Sequence, residues 1–105
     1  MITVLISFNL APGTTRTDAL HIYRNSAKKW ASNVDLIEKY YYFDEQTLLG
    51  GGVYIWKSIE AARQWHGPDY VAMVESVYGN APRIQILDTL IHIEPTTRRI
   101  VEYGN

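Results

Sequence analysis

The residues best suited to chemistry lie in one short stretch, from Tyr54 to His66. An unperturbed imidazole titrates near about pH 6.5, so His66 could act as a general base. His66 also stands directly before Gly67-Pro68, where it could simply end a helix and interact with the helix dipole. The sequence leaves both roles open.

Tyr54 and Trp56 are two residues apart in a segment with strand character, so they point to the same face. The glycines that precede them, Gly50 to Gly52, lack side chains and could leave room for a ligand. We therefore predict an apolar pocket bounded by Tyr54 and Trp56, with His66 close by. The alternative is a core strand whose aromatic side chains pack on helices.

Three consecutive tyrosines precede the glycines. Tyr40 and Tyr42 share one strand face and Tyr41 takes the other, but the sequence does not give the register that decides which face accompanies Tyr54. A direct pairing of Phe43 with Leu48 would favour Tyr41. Helical spacing favours a packing role for Tyr23, Trp30 and Trp65. The candidate catalytic residues are His66 and Tyr54, and the candidate substrate-binding residues are Trp56, Gly52, Tyr41, Tyr23 and Trp65.

Other chemistries find little support. His92 with Glu94, and Asp18 with His21, are pairs without a third ligand in suitable spacing, so we expect no metal site. The chain has no cysteine, no nucleophile elbow and no phosphate-binding loop, and we expect no cofactor. RNA-recognition domains share the element order described below, but the basic surface that they use is missing, so we expect no nucleic-acid partner.

Length and composition indicate one ordinary globular domain. The chain has 105 residues, of which 47% are hydrophobic and 20% charged, with a formal net charge of -1. Its apolar stretches are too short to cross a bilayer, and no charged leader precedes the first strand. We expect a cytoplasmic protein without a membrane partner, and the lack of cysteine suits that compartment.

Periodicity and breaker residues predict the order β-α-β-β-α-β. The second helix is expected to be interrupted at Gly67-Pro68, and a domain over 1–95 to be followed by a tail over 96–105 that is disordered or exchanges with a partner subunit. The predicted strands are Ile2 to Phe8, Val34 to Phe43, Leu48 to Trp56 and Ile84 to Ile93, and the predicted helices are Arg16 to Ser32 and a second one from Ser58 through His66, with its apolar stripe continuing to Gly79.

This order is typical of a ferredoxin-like α+β fold, in which two helices cover one face of a four-stranded antiparallel sheet. Each strand also sends apolar side chains to the other face. Exposed apolar surface of that extent is unusual for a monomer, so we predict that two sheets pack together in a homodimer.

The segment Gly51-Gly52-Val53-Tyr54-Ile55-Trp56, followed by Ser58, Glu60-Ala61-Ala62 and His66, resembles the YdhR-type monooxygenase family, and Lys39-Tyr40-Tyr41 fits the same family. More distantly, the pattern is similar to the antibiotic-biosynthesis monooxygenases. The resemblance implies a dimeric α+β barrel. It also implies a cofactor-independent monooxygenase that acts on a small aromatic or polyketide-like molecule. One position departs from the antibiotic type, which commonly has asparagine where this chain has Gly52.

A cofactor-independent oxygenase needs a base, hydrogen bonds for a substrate anion and a dry aromatic pocket, because that anion must give an electron to oxygen. Two alternatives on the same scaffold stay open. One is a binding protein for small molecules without catalysis, and the other is an isomerase or cyclase that abstracts a proton without using oxygen.

Overall fold

Alternating burial along the first strand sets the layer on which the helices pack. In β1 (Ile2–Asn9), Ile2, Val4, Ile6 and Phe8 are buried and the intervening side chains are more exposed. The computed structural model describes residues 1–104. It places β1 inside a four-stranded antiparallel sheet in the order β2-β3-β1-β4, formed with β2 (Leu36–Asp44), β3 (Leu49–Trp56) and β4 (Arg83–Asp88).

The helices begin where the sequence offers caps. α1 (Arg16–Ala31) starts after Thr15, whose hydroxyl accepts from the Asp18 backbone N–H while the Asp18 carboxylate accepts from the Thr15 N–H. α2 (Ile59–Trp65) starts after Ser58. α3 (Pro68–Tyr78) begins at a proline, which suits the first helical position, and ends at Gly79 with φ 85°.

Buried residues of all three helices pack on the buried face of the sheet. The core joins Ala19, Tyr23 and Trp30 of α1, Ala61 and Ala62 of α2, and Tyr70 and Val74 of α3 to the buried side chains of β1 and β3. The predicted α+β class and four-stranded antiparallel sheet are confirmed, and the arrangement is compatible with a ferredoxin-like fold. The second helix is interrupted at Gly67-Pro68 as predicted, so residues 1–104 form three helices where two were expected.

The prediction of one last strand from Ile84 to Ile93 was wrong. Asp88 already pairs with Ile2, the first residue of β1, and the Thr89 N–H donates to the Met1 carbonyl, so β4 ends where its pairing with β1 ends. The chain instead forms a separate hairpin of β5 (Ile91–Glu94) and β6 (Arg99–Glu102). Four residues of the predicted tail over 96–105 therefore form a strand, β6, whose backbone groups pair with β5 within the hairpin.

The other face of the four-stranded sheet carries an apolar patch that we call the open sheet face. Three of its side chains are well exposed: Leu5 by 36%, Leu87 by 46% and Tyr40 by 57%. Strand register places these side chains on one side of the sheet, and the whole patch consists of Leu5, Tyr40, Tyr42, Val53, Ile55 and Leu87.

None of the helices formed by residues 1–104 has the length and hydropathy of a membrane span.

Candidate functional site

The register between β2 and β3 decides which tyrosine accompanies Tyr54. Lys39 pairs with Tyr54 and Tyr41 pairs with Gly52, so Lys39 and Tyr41 lie on the helix side of the sheet. The hairpin pairs Asp44 with Leu49, two positions away from a pairing of Phe43 with Leu48. Because side chains alternate with period two, that difference leaves Tyr41 on the same face.

A central cavity of about 270 Å³ lies between this part of the sheet and helices α1 and α3. Its walls are mainly aromatic and aliphatic, and Asn25, Ser26, Lys39 and tyrosine hydroxyls supply its polar groups. Among the described residues, no carboxylate lines it. The lining residues are Phe8, Ile22, Asn25, Ser26, Trp30, Lys39, Tyr41, Gly51, Tyr54, Tyr70, Met73, Val74, Val77 and Tyr78.

Lys39 places an amine among aromatic rings. Its Nζ atom lies 3.7 Å from the ring centre of Tyr41, 4.3 Å from that of Tyr54 and 4.6 Å from that of Trp30. Burial, reinforced by the positive charge of Lys29, lowers the pKa of Lys39 from 10.5 to about 7. The ring faces oppose this effect because they attract a cation. Lys39 is therefore a group that can hold or release a proton near neutral pH.

Lys39 also separates the central cavity from a second space. A side cleft of about 300 Å³ lies between α1 and β2, and it is lined by Ala27, Trp30, Ala31, Leu36, Ile37, Glu38, Lys39 and Tyr41. Lys39, Trp30 and Tyr41 belong to both linings. These three side chains therefore form the wall between the cavity and the cleft.

The tyrosines of the cavity are hydrogen-bond donors rather than bases. The Tyr54 and Tyr70 hydroxyl oxygens are 3.1 Å apart, and the Ser26 Oγ and Tyr41 Oη atoms are 2.6 Å apart. Burial raises the pKa of Tyr54 strongly and that of Tyr70 to about 12. At neutral pH both phenols stay protonated, so Tyr54 is placed to orient a ligand and not to accept its proton.

His66 lies behind Tyr54, with 4.5 Å between the ring centres, and is not among the residues that line the cavity. The Trp56 indole Nε1–H donates to His66 Nε2 at 3.0 Å, so the proton of the neutral imidazole belongs on Nδ1. Among the described residues, Nδ1 is buried without a partner. Burial, together with the charge of Lys39, lowers the pKa of His66 to about 4. In this arrangement the lone pair on His66 Nε2 already accepts the hydrogen bond from Trp56.

Trp56 and Trp65 form a packed layer next to His66. Trp56 is fully buried and its ring is nearly parallel to that of Trp65, with centres 6.4 Å apart. Neither tryptophan lines the central cavity. The structure therefore brings Tyr54, Trp56 and His66 together, as a core cluster that supports the cavity from behind.

The glycine run allows close approach of neighbouring groups. A Cβ atom on Gly52 would lie 3.1 Å from both the Tyr40 carbonyl oxygen and Tyr54 Cε1, and 3.4 Å from Lys39 Cε. Gly52 thus makes room for the side chains of Tyr54 and Lys39, and the expected space for a ligand is taken up by them.

Gly51 has φ 154°, and a Cβ atom there would overlap the carbonyl oxygen of Ile6. That carbonyl accepts from the Tyr42 hydroxyl, while the Gly51 N–H donates to Tyr23 Oη at 3.3 Å. The Tyr23 hydroxyl also donates to the Tyr42 carbonyl. Tyr23 therefore holds the irregular stretch of β3, and its ring stacks on that of Tyr41 at 4.6 Å between centres.

Sequence reasoning missed Lys39 and Tyr70 as parts of the site. The available signal for Lys39 was its position two residues before Tyr41, which puts a charged side chain on the strand face that Tyr41 shares.

The described residues contain no group of three or more histidine, aspartate or glutamate side chains arranged to hold a metal. No protein-family model matches the chain, and no curated protein matches it significantly.

Proposed function

We propose that this protein is a cofactor-independent monooxygenase that acts on a small aromatic or polyketide-like molecule. The observation that carries the proposal is the aromatic central cavity with an amine inside it. Such a cavity fits a flat ring system and limits the access of water. Its volume of about 270 Å³ suits a molecule of one or two rings. The stretch from Gly51 to His66 resembles the YdhR-type monooxygenases, and this resemblance supports the proposed reaction class.

The cavity supplies what this chemistry requires of a protein. The reactive species is an electron-rich anion that transfers an electron to oxygen, and the protein must bind, orient and desolvate it. Tyr54, held by Tyr70, and Tyr41, held by Ser26, can donate hydrogen bonds to it. His66 takes part indirectly, because it fixes Trp56 and the back of the Tyr54 ring.

Oxygen uptake with a panel of phenols and naphthols tests the proposal, with mass spectrometry of the products. A matched pair of α3 variants shows whether turnover uses the cavity. Val77→Trp adds bulk at an exposed residue of the cavity lining, and Ala72→Trp adds it at an exposed residue outside that lining. We expect oxygen insertion by the wild type and by Ala72→Trp, and a strong loss with Val77→Trp.

Two results would contradict the monooxygenase. Binding of panel members without any oxygen uptake would identify a binding protein. Conversion to a product of unchanged mass would identify an isomerase or cyclase.

The lack of cysteine supports the proposal that the protein works in the cytoplasm.

We further propose that two copies pair through the open sheet face into a dimeric α+β barrel. The support is the apolar patch on that face. Leu5, in the patch, and Leu20, on α1, are each 36% exposed, so Leu5→Lys and Leu20→Lys are a matched pair. In sedimentation velocity we expect a dimer for the wild type and Leu20→Lys, and a monomer for Leu5→Lys. A wild-type monomer at micromolar concentration would refute the pairing.

A further inference from the structure

The central cavity has a basic side chain in its lining but no acidic one among the described residues. Lys39 is the basic side chain in its lining, and among the described residues no carboxylate lines it to balance the ammonium form. The charged neighbour that acts on Lys39 is itself a cation, Lys29. An ammonium group that is partly removed from water without an anion is unfavourable, and the three aromatic faces offset only part of that cost.

A ligand that brings a negative charge would complete this environment. It would pair with Lys39 Nζ in a region of low dielectric, where a charge-assisted hydrogen bond is stronger than in water. The surrounding aromatic faces leave space for a flat ring, and the hydroxyls of Ser26, Tyr41 and Tyr54 can bind its substituents.

We propose that the central cavity binds an aromatic ligand with an acidic hydroxyl group, a phenol or an enol, as its anion paired with Lys39 Nζ. This inference rests on the proposed function and deepens it, because it names the substrate class and the residue that ionises the substrate. The anion is also the species that a cofactor-independent oxygenase must present to oxygen.

The proton balance favours a phenol or enol over a carboxylic acid. The ligand enters neutral and its O–H bond breaks as a new N–H bond forms on the neutral Lys39 amine. The cavity then holds one cation and one anion, and its net charge is unchanged. A carboxylate arrives already ionised and must be stripped of water before any proton is shared, which is more costly.

The other titratable groups around Lys39 do not compete for this proton. Burial raises the pKa values of Tyr23, Tyr54, Tyr70 and Tyr78, and that of Tyr41 is raised as well. These phenols therefore stay neutral near pH 7. The lone pair of His66 is held by Trp56. Lys39 is left as the proton acceptor that faces the ligand.

Binding of 4-nitrophenol tests the proposal, because the anion of this probe has a visible absorption band that the neutral form lacks. The titration is done near pH 7, where part of Lys39 is a neutral amine, and each spectrum is compared with that of the free probe at the same pH. The matched ligand is 4-nitroanisole, which has the same ring but no proton to give. The matched variants are Lys39→Met and Lys57→Met, since Lys57 is exposed and lies outside the cavity lining.

We expect the phenolate band to rise above that of the free probe when wild type or Lys57→Met binds it, and not to rise with Lys39→Met. Affinity for 4-nitrophenol should fall about 10–100-fold in Lys39→Met. Affinity for 4-nitroanisole should be similar in all three proteins. Binding to the wild type without a rise of the phenolate band would overturn the proposal, and so would the same rise with Lys39→Met or failure of the wild type to bind 4-nitrophenol.

The assay separates this proposal from the proposed function. Formation of the phenolate band without oxygen uptake by any panel member would support the anion site and contradict the monooxygenase. Oxygen uptake that persists unchanged in Lys39→Met would support the monooxygenase and overturn the role of Lys39.

Discussion

Replacement of Lys39 by methionine should make the protein more stable near neutral pH. Methionine has a similar length and is apolar, so it can fill the space among Trp30, Tyr41 and Tyr54 without a buried charge. In the wild type, part of the folding free energy is spent on removing the Lys39 ammonium from water or on deprotonating it. Lys39→Met removes this cost.

The magnitude follows from the pKa of Lys39. A lysine pKa that falls from 10.5 to about 7 on folding corresponds to a destabilisation of about 5 kcal/mol below pH 7. Imperfect packing of methionine in the space of the lysine side chain returns about 2 kcal/mol. Lys39→Met should therefore raise the free energy of unfolding by about 2–3 kcal/mol near pH 7, a large fraction of the stability of a small domain.

The gain should vary with pH in a defined direction. Between pH 7 and 10.5 the unfolded chain keeps a proton on Lys39 that the folded protein has lost, so the stability of the wild type rises with pH over this range. The advantage of Lys39→Met should shrink over the same range and largely vanish near about pH 10. The raised tyrosine pKa values lower the stability of both proteins at higher pH, so they do not alter the comparison.

Urea unfolding followed by tryptophan fluorescence at several pH values between about 7 and 10 measures this effect. Lys57→Met serves as the control for loss of an exposed positive charge, and we expect little change for it. A Lys39→Met protein that is less stable than the wild type near pH 7 would refute the reasoning. A stability difference that does not change with pH would refute it equally.

Three further predictions concern the core behind the cavity, and urea unfolding measures each of them. Trp56→Phe should cost about 1–3 kcal/mol, because it leaves the buried His66 Nε2 atom without its donor; an unchanged midpoint would mean that the hydrogen bond adds nothing. Gly52→Leu should cost about 1–3 kcal/mol by overpacking, whereas an open pocket at this position would tolerate leucine. Gly51→Ala should be more damaging than Gly79→Ala, since both have positive φ but only Gly51 lies against a backbone carbonyl; equal costs would contradict this account.

Local patterns were sufficient for much of the fold. The capping residues Thr15 and Ser58 and the breaker Gly67-Pro68 fix helix ends through short-range contacts, and the predicted interruption at Gly67-Pro68 is present in the structure. The end of β4 could not be predicted in this way. It depends on where β1 begins, and that pairing joins residues far apart in the sequence.

In the candidate site too, local patterns predict some features, whereas others depend on contacts between residues far apart in the sequence. Alternation correctly puts Tyr54 and Trp56 on one face, but only the helices decide that Tyr54 lines the cavity while Trp56 is fully buried. Lys39 escaped notice because a lysine in a strand normally points to solvent. Its inclusion in the cavity results from the β2–β3 register and from the position of Trp30 on α1, neither of which is visible in a local pattern.

The position of Lys39 in the wall between the central cavity and the side cleft has a consequence for the size of molecule that the protein can admit. Lysine has four rotatable side-chain bonds, so this wall can open by a change of rotamer, with the backbone unchanged. The ring faces hold the ammonium form more firmly than the neutral amine, which makes the charged state the closed one. Loss of the proton from this one amine would therefore favour a rotamer of Lys39 that joins the two spaces along β2.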